Sequence, residues 1–411
     1  MRSLTNIFLF LLFFKNAAFQ LSKIQSDSEV LFDLINKKGY NPLVRPKGLI
    51  QNENGGFSPT LVKISIYVRY ISNINEMSNE YSMQITFRQS WIDSRLRFDN
   101  NDTLFNPPNY FVLNKDDFLW KPDFFFANEI SGHKHSIDQP NKLVRVYKDG
   151  TVLISQRISL VLSSPYNLIN FPLDHQMIYL DIASYAHTID DIHFEWYEES
   201  PIQMKTGINN SLPQFLIETY STEHCQSITT LGNFSCLRLQ FKLSRETEFY
   251  FFHIFIPQIL LVLTSMVSFW LHPSGIPGRV TLGVTTLLTI TTSANGGAGS
   301  KIHHVSYLRA IDFWNFINIF FIFCSLIEFA ITSFLFNRTN KKSDDESNSL
   351  IESTEKNNVL NRRACSQNIL DKFSGIQAIK IDYFSRIVFP ILYFIFVITF
   401  FMYYGNERKH Q

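Results

Sequence analysis

Cysteine is scarce in this chain: there are four in 411 residues. Cys324 falls in an apolar run and Cys365 in a polar loop, neither with an evident partner, so a fold stapled throughout by disulfides is excluded. Neither sign of charge dominates, with 37 Lys and Arg against 36 Asp and Glu and a net charge of +1. Such a chain carries no basic footprint for nucleic acid, and that partner is excluded. Also missing are a nucleophile–base set, a metal-spaced His/Cys cluster and a glycine-rich phosphate loop. Nothing therefore supports an enzyme, a cofactor or a metal site. Phenylalanine is plentiful instead, at 40 residues, and the long apolar runs are concentrated after position 249. That combination suits a surface facing lipid.

At the start of the chain Arg2 precedes an apolar run over 7–14, and the small residues Ala17 and Ala18 come after it. Residues 1–19 read as a secretory signal peptide, too short to span a bilayer. The chain from residue 20 onward is therefore expected to start outside the cell. Cys225 and Cys236 lie in this exported part, where a disulfide can persist. Sequons at Asn101, Asn209 and Asn233 fit glycosylation there, whereas Asn337-Arg-Thr falls on the cytoplasmic side and should stay unmodified.

Residues 20–248 read as a β-rich domain. Ile64, Ile66 and Val68 face one way and Ser65, Tyr67 and Arg69 the other. Met83, Ile85 and Phe87 alternate in the same manner with Gln84, Thr86 and Arg88. Period-two alternation marks strands with one buried face. Further strands are expected at 144–147, 151–161, 177–182 and 236–243, with turns such as Lys148-Asp-Gly150 between them, which suggests a sandwich. Beyond Arg245 the runs 249–271, 277–298, 313–336 and 384–404 give four candidate spans, the first three within 249–336. The polar stretch 337–382 has no periodicity and is expected to be cytoplasmic and largely disordered. Lys341, Lys342, Arg362 and Arg363 put positive charge inside. The last part, 383–411, holds the fourth span and a short extracellular tail, in which Arg408 and Lys409 pull against that orientation.

The second span is a poor choice for facing lipid. At about 100° per residue, Thr281, Thr285, Leu288, Thr292 and Asn295 fall on one stripe. A hydroxyl-striped membrane helix either packs on other helices through its threonines or lines water. The stripe alone leaves both open.

An exported β-domain leading into four spans, the second polar-striped, resembles the pentameric ligand-gated ion channels, or Cys-loop receptors. Phe171-Pro-Leu-Asp174 resembles the family's signature loop, and Trp91-Ile-Asp93 and Trp120-Lys-Pro-Asp123 resemble its strand-edge motifs. Pro277-Gly-Arg279 and the Val-Thr-Leu-Gly-Val-Thr-Thr-Leu-Leu-Thr after it resemble the pore helix of invertebrate glutamate-gated chloride channels. Val305-Ser-Tyr307 and Ala310-Ile-Asp312 resemble the family's segment beyond that helix. The match covers 69–335 and the last helix. It implies an extracellular all-β sandwich followed by a four-helix transmembrane bundle, five such subunits making a homo- or hetero-pentamer. It further implies a plasma-membrane, postsynaptic location in neurons or muscle, an amino-acid agonist with glutamate favoured, and chloride as the permeant ion. Within the same family the alternatives are gating by another amino acid or an amine, and a non-conducting auxiliary subunit.

The resemblance also assigns residues. Arg69 and Arg88 leave the polar faces of their strands. Two guanidinium groups converging on one spot call for an anion between them, while solvated surface arginines are the plainer alternative. The family pattern makes these two, with Ser155, the carboxylate-binding group. It makes Phe125, Tyr185 and Phe234 the aromatic box for an ammonium, the two halves coming from opposite sides of a subunit interface. Leu231 and Phe234 stand where Thr and Tyr are usual, which removes two hydroxyls. In the pore, Pro277, Gly278 and Arg279 mark the cytoplasmic mouth, without a Glu. Thr281, Thr285, Leu288, Thr292 and Asn295 form the lining, Leu288 the hydrophobic girdle, and Lys301 the outer end. Asp174 is expected to pair with Arg245, beside Glu246, and so couple the two domains. Cys225 with Cys236 resembles the extra bridge of the loop that closes over agonist. The signature bridge itself is missing: Ser164 and Ile178 replace its cysteines, and Ile178 and Phe171 are expected to enter the core in compensation. His303 and His304 replace a Pro-Pro pair in the linker 299–305, as pH-sensitive or simply solvated residues.

Overall fold

The computed structural model describes residues 39–48, 57–98, 108–113, 118–272, 275–296, 305–352 and 361–410. The signal peptide expected over residues 1–19, and Asn101, Lys301, His303 and His304, lie outside the described residues. The chain divides into two compact units, Met1–Tyr166 with Met177–Leu243, and Asn167–Gln176 with Ser244–Gln411.

The first unit is a β-sandwich. Its larger sheet runs β10 (Ile202–Met204), β1 (Thr60–Asn75), β2 (Glu80–Ile92), β7 (Thr151–Ser163), β6 (Lys142–Tyr147) and β3 (Tyr110–Leu113). β5 (Glu129–Lys134) also pairs with β7, and β9 (Ile192–Trp196) with β1. The smaller sheet runs β11 (Phe215–His224), β14 (Cys236–Arg245), β8 (His175–Ala183) and β4 (Phe125–Phe126). The alternation in β1, β2 and β7 does what period two requires. Ile64, Ile66, Met83, Ile85, Ile154 and Leu160 are buried, and they pack with Leu180 and Ile182 of β8 and with Leu239 and Phe241 of β14 in one apolar core.

One irregularity in β1 changes the direction of an arginine. Val68 pairs with Ile85 and Tyr70 with the adjacent Gln84, so Arg69 is the extra residue of a bulge. A bulge re-aims the side chain it carries, and the burial alternation resumes one step later at Ile71. The ends of the signature loop lack their covalent bridge and are held in two other ways. Ile178 is fully buried in the sandwich core. Ser164, also buried, donates its hydroxyl to the Met177 carbonyl at 3.2 Å and its N–H to the Asn79 carbonyl at 2.8 Å.

The second unit is helical: α1 (Glu248–Trp270), α2 (Ile276–Gly296), α3 (Ala310–Glu352) and α4 (Asn361–His410). A π-helical turn over Phe251–Phe255 precedes Pro257 of α1. Proline has no N–H for the ladder, and a local change of hydrogen-bond pattern accommodates that loss. Trp314 and Asn318 of α3 and Tyr393 of α4 are fully buried, with the Tyr393 hydroxyl donating to Asn318 Oδ1 at 2.7 Å. Among the described residues three helices are long and apolar enough to cross a membrane: Glu248–Trp270, Ala310–Asn337 and Lys380–Arg408. α2, counted as the second span in the sequence, is too polar to be among them, though it is one of the four helices of the expected bundle. Its length of 21 residues suffices, but its threonines remove the apolar character. The stretch 337–382 also departs from expectation, since α3 continues to Glu352 and α4 begins at Asn361. Extending a nucleated helix costs far less than starting one, so a span can carry its helix into polar sequence that has no periodicity of its own.

Candidate ligand site and pore helix

On the exposed face of the larger sheet, Arg88 and Ser155 are direct register partners between β2 and β7. Both line a cavity of about 610 Å³ with Lys63, Arg145, Tyr197 and Gln203 among others. Arg88 donates to Gln203 Oε1 at 3.1 Å. Arg69, thrown out by the bulge, is not in the cavity wall. Its Nε donates to Thr86 Oγ1 at 2.6 Å, and Thr86 shares the Arg88 face of β2 one pair further along. Arg157 lies opposite Thr86 and donates to Gln84 Oε1 at 2.8 Å. Two guanidinium groups, those of Arg69 and Arg157, thus lie around Thr86, with Arg88 one pair further along the same face. His135 reports the consequence: burial, then the charges of Arg157, His133 and Arg69, hold its imidazole below its ordinary value. Arg157 was not singled out in the sequence, although its place two residues after Ser155 puts it on the same strand face.

The aromatic residues belong to the smaller sheet and its loops. Phe125 of β4 pairs with Ala183 of β8, and its ring meets Tyr185 edge to face at 5.5 Å. Phe234 closes the hairpin of β12 (Ser227–Thr229) and β13 (Gly232–Phe234). The backbone ties that hairpin to the Tyr185 loop, because Ser184 donates to the Ser235 carbonyl at 3.1 Å and Ile189 to the Asn233 carbonyl at 2.9 Å. Tyr185 is 75 % exposed, whereas Phe234 is 8 % exposed and Leu231, at the hairpin tip, 86 %. Phe125 and Tyr185 therefore present aromatic surface together, and Phe234 is largely covered. Cys225 and Cys236 are disulfide-bonded across the base of the hairpin. Closing so short a loop is worth roughly 2–3 kcal/mol. Asn209 and Asn233 are both exposed.

Asp123 holds the Tyr185 loop. Its carboxylate accepts from the Tyr185 N–H at 3.0 Å, the Ala186 N–H at 2.5 Å and His187 Nδ1 at 2.6 Å. Burial pushes its pKa up, but the Ala186, His187 and Tyr185 donors outweigh that and keep it below the ordinary carboxylate value. Its motif was legible in the sequence; its role as an anchor was not.

In the helical unit, α2 sorts its residues by face. Pro277, Gly278, Thr281, Thr285, Leu288 and Thr292 are exposed, while Arg279, Gly283, Thr286 and Ile290 are buried. Asn295 falls in the last turn. The Thr281, Thr285 and Thr292 hydroxyls bond back to carbonyls one turn earlier, at 2.9, 2.5 and 2.9 Å. Their hydrogen bonds are spent within the helix rather than on neighbours. Arg279 is the departure from expectation. It is 1 % exposed and makes a bidentate pair with Asp382 of α4, at 2.7 and 3.1 Å, and a further bond to the Leu271 carbonyl. A guanidinium so placed is neutralised inside the bundle and is not a free charge on the exposed stripe.

Residues 27–247 match the model of the neurotransmitter-gated ion-channel ligand binding domain, and residues 254–368 that of the neurotransmitter-gated ion-channel transmembrane region. The chain belongs to the neurotransmitter-gated ion-channel family. Among its relatives is a glutamate-gated chloride channel of Drosophila melanogaster, 38 % identical over 352 residues, covering 86 % of this chain and 73 % of the relative. Another is a glutamate-gated chloride channel subunit beta of Haemonchus contortus, 38 % identical over 310 residues, covering 75 % and 70 %. The family is one of ligand-gated channels in membranes, not a class of enzymes.

The channel's signature loop, 167–176, is packed within the helical unit. Ala310 donates to the Ile169 carbonyl at 2.8 Å, Ile311 to that of Phe171 at 3.2 Å, and the Tyr307 hydroxyl accepts from the Leu168 N–H at 3.0 Å. Phe171 is buried and meets Tyr250 edge to face at 5.1 Å. Asp174 and Arg245 form a bidentate pair at 2.7 and 3.1 Å, both side chains nearly fully buried. The Arg245 guanidinium lies 4.6 Å over the Phe171 ring, and Gln176 donates to Asp174.

Proposed function

We propose that the chain is a subunit of a pentameric, glutamate-gated chloride channel in the plasma membrane of excitable cells, with both termini outside. The observation that carries this reading is the cationic face around Arg88, Ser155 and Arg69, in a chain 38 % identical to glutamate-gated chloride channels. Guanidiniums of Arg88 and Arg145 in the cavity, with Arg69 and Arg157 further along the same sheet, favour an anionic ligand, and an Arg fork matches a carboxylate bidentately. Phe125 and Tyr185 offer ring faces and edges for the ammonium. The arginines sit on one sheet and the aromatics on the other, so a complete site takes one half from each of two neighbouring subunits.

For conduction, the exposed stripe of α2 is the pore wall. It is uncharged, has no acid to attract cations, and begins at a helix N-terminus, whose partial positive charge favours anions. Leu288, 63 % exposed on that stripe, is the hydrophobic girdle that closes the pore by dewetting. Asp174 and Arg245 transmit the signal.

The test is expression of the chain with glutamate applied under chloride substitution. A reversal potential that follows chloride supports the reading, and one that ignores chloride overturns it. One observation favours a second reading, in which another amino acid or an amine is the agonist: the hairpin presents Leu231 and no hydroxyl at its tip, and covers Phe234. An amine agonist has no carboxylate and would be indifferent to Arg88→Ala. A non-conducting subunit would be silent alone and would alter the currents of co-expressed relatives.

A further inference from the structure

A cation at the end of α4 is at odds with the expected topology, and its hydrogen bonds show what it does. Arg408 Nη2 donates to Ser244 Oγ and to the Arg245 carbonyl, both at 3.0 Å, and Nη1 to Thr247 Oγ1 at 3.4 Å. All three acceptors are neutral oxygens at the end of β14 and on the short link from it to α1. A guanidinium spanning three acceptors on four consecutive residues fixes that segment's path. From the same backbone, Arg245 sends its guanidinium to Asp174 and over Phe171, in the loop 167–176. Two arginines therefore meet at one residue: Arg408 holds the Arg245 main chain, and the Arg245 side chain holds the loop.

We infer that Arg408 is a positioning residue for gating: through Ser244, Arg245 and Thr247 it aims the Arg245 guanidinium at Asp174. The α4 C-terminus then belongs to the coupling apparatus and is more than a membrane anchor. The consequence for currents rests on the channel reading proposed above; the consequence for the structure does not. Arg408 touches neither the cavity of the larger sheet nor the exposed stripe of α2. Its loss acts on how binding is transmitted.

The test compares the full-length chain with Arg408→Gln and Arg408→Lys. Hydrogen exchange on the purified chain is expected to quicken in Arg408→Gln over residues 244–250 and in the loop 167–176. Lysine keeps the charge without the fork, so Arg408→Lys should fall between the two. In recordings, Arg408→Gln should raise the half-maximal agonist concentration about five- to tenfold, the lower part of the range for coupling between sites, at unchanged surface labelling and reversal potential. Unchanged exchange in both segments overturns the inference. So does faster exchange at 244–250 alone, with an unaltered loop and unaltered concentration dependence, since that outcome describes a merely local contact. If the unsubstituted chain carries no current, alone or with a related subunit, the conducting role fails, and the exchange of the loop 167–176 still decides the role of Arg408.

Discussion

Arg88 and Arg69 hold their positions by different means, and this sets what each should contribute. Arg88 leans on an exposed glutamine, Gln203, and faces the cavity. Arg69 is displaced by the bulge and tied through Nε to Thr86. Hydrogen bonds to charged groups are worth about 1.5–3 kcal/mol each, roughly 10- to 150-fold in affinity. Arg88→Ala should raise the half-maximal glutamate concentration by at least that factor, and Arg88→Lys should recover only part of it, because an ammonium lacks the fork. Concentration–response curves normalised to surface labelling decide the matter, and an unshifted Arg88→Ala would remove Arg88 from the site. Asp123 makes a separate prediction. Its folded-state pKa is depressed, so the stability it lends the Tyr185 loop is complete above the unfolded value of about 3.9 and is lost as pH falls through the folded value, below that. Between pH 8 and 5 its anchor should hold. Asp123→Asn should loosen the Tyr185 loop at every pH, seen as faster hydrogen exchange at Tyr185 and Ala186 and a weaker agonist response.

Among the elements, α2 is the one whose packing is tightest where its side chain is smallest. A Cβ on Gly283 would stand 2.3 Å from Leu326 Cδ2 and 2.9 Å from its Cγ, on α3. Gly283→Ala therefore forces Leu326 to move or the helices apart, a strain of about 1–3 kcal/mol. The expected outcome is altered gating with unaltered reversal potential, and Gly283→Ala combined with Leu326→Ala should return towards the starting behaviour. If the pair is merely additive, the two side chains do not meet. The strands teach a different lesson. β1, β2 and β7 were legible because each has one buried and one wet face, and the alternation is written in the residues. β5 was not: all six of its residues are exposed, so no apolar period marks it, and only pairing with β7 makes it a strand. Arg69 and Arg88 were legible on the wet faces for the same reason as β1 and β2, but Arg157 was not singled out, and the bulge that sets Arg69 apart from Arg88 was hidden, since a bulge is a property of two strands at once. The fate of Arg279 was hidden most fully. Its partner is 103 residues away in sequence, and no local pattern distinguishes a buried arginine from one at a pore mouth.

That buried arginine makes the last prediction, one that concerns the assembled bundle. Arg279 of α2 and Asp382 of α4 are paired out of water, with side chains 0 % and 2 % exposed. Glu328 of α3, also buried, interacts electrostatically with both. The ion pair is Arg279 with Asp382, which joins α2 to α4, and the Glu328 carboxyl of α3 lies beside it. Removing one partner of a buried pair costs roughly 3–5 kcal/mol, because the remaining charge keeps its desolvation without its compensation. The two ends of this cluster are not equivalent. Asp382→Asn leaves a guanidinium that still has the Leu271 carbonyl as acceptor, whereas Arg279→Gln leaves the Asp382 carboxylate beside a second carboxyl, that of Glu328, with no cation. Arg279→Gln should therefore be the more damaging change, lowering thermal stability and surface delivery of the assembled channel further than Asp382→Asn does. Adding Asp382→Asn to Arg279→Gln should recover part of the loss, since it removes the stranded charge. A free charge ring at the pore mouth predicts the opposite pattern: assembly untouched by Arg279→Gln, and ion selectivity changed. Thermal unfolding of the purified variants and surface biotinylation, read beside reversal potentials, separate the two.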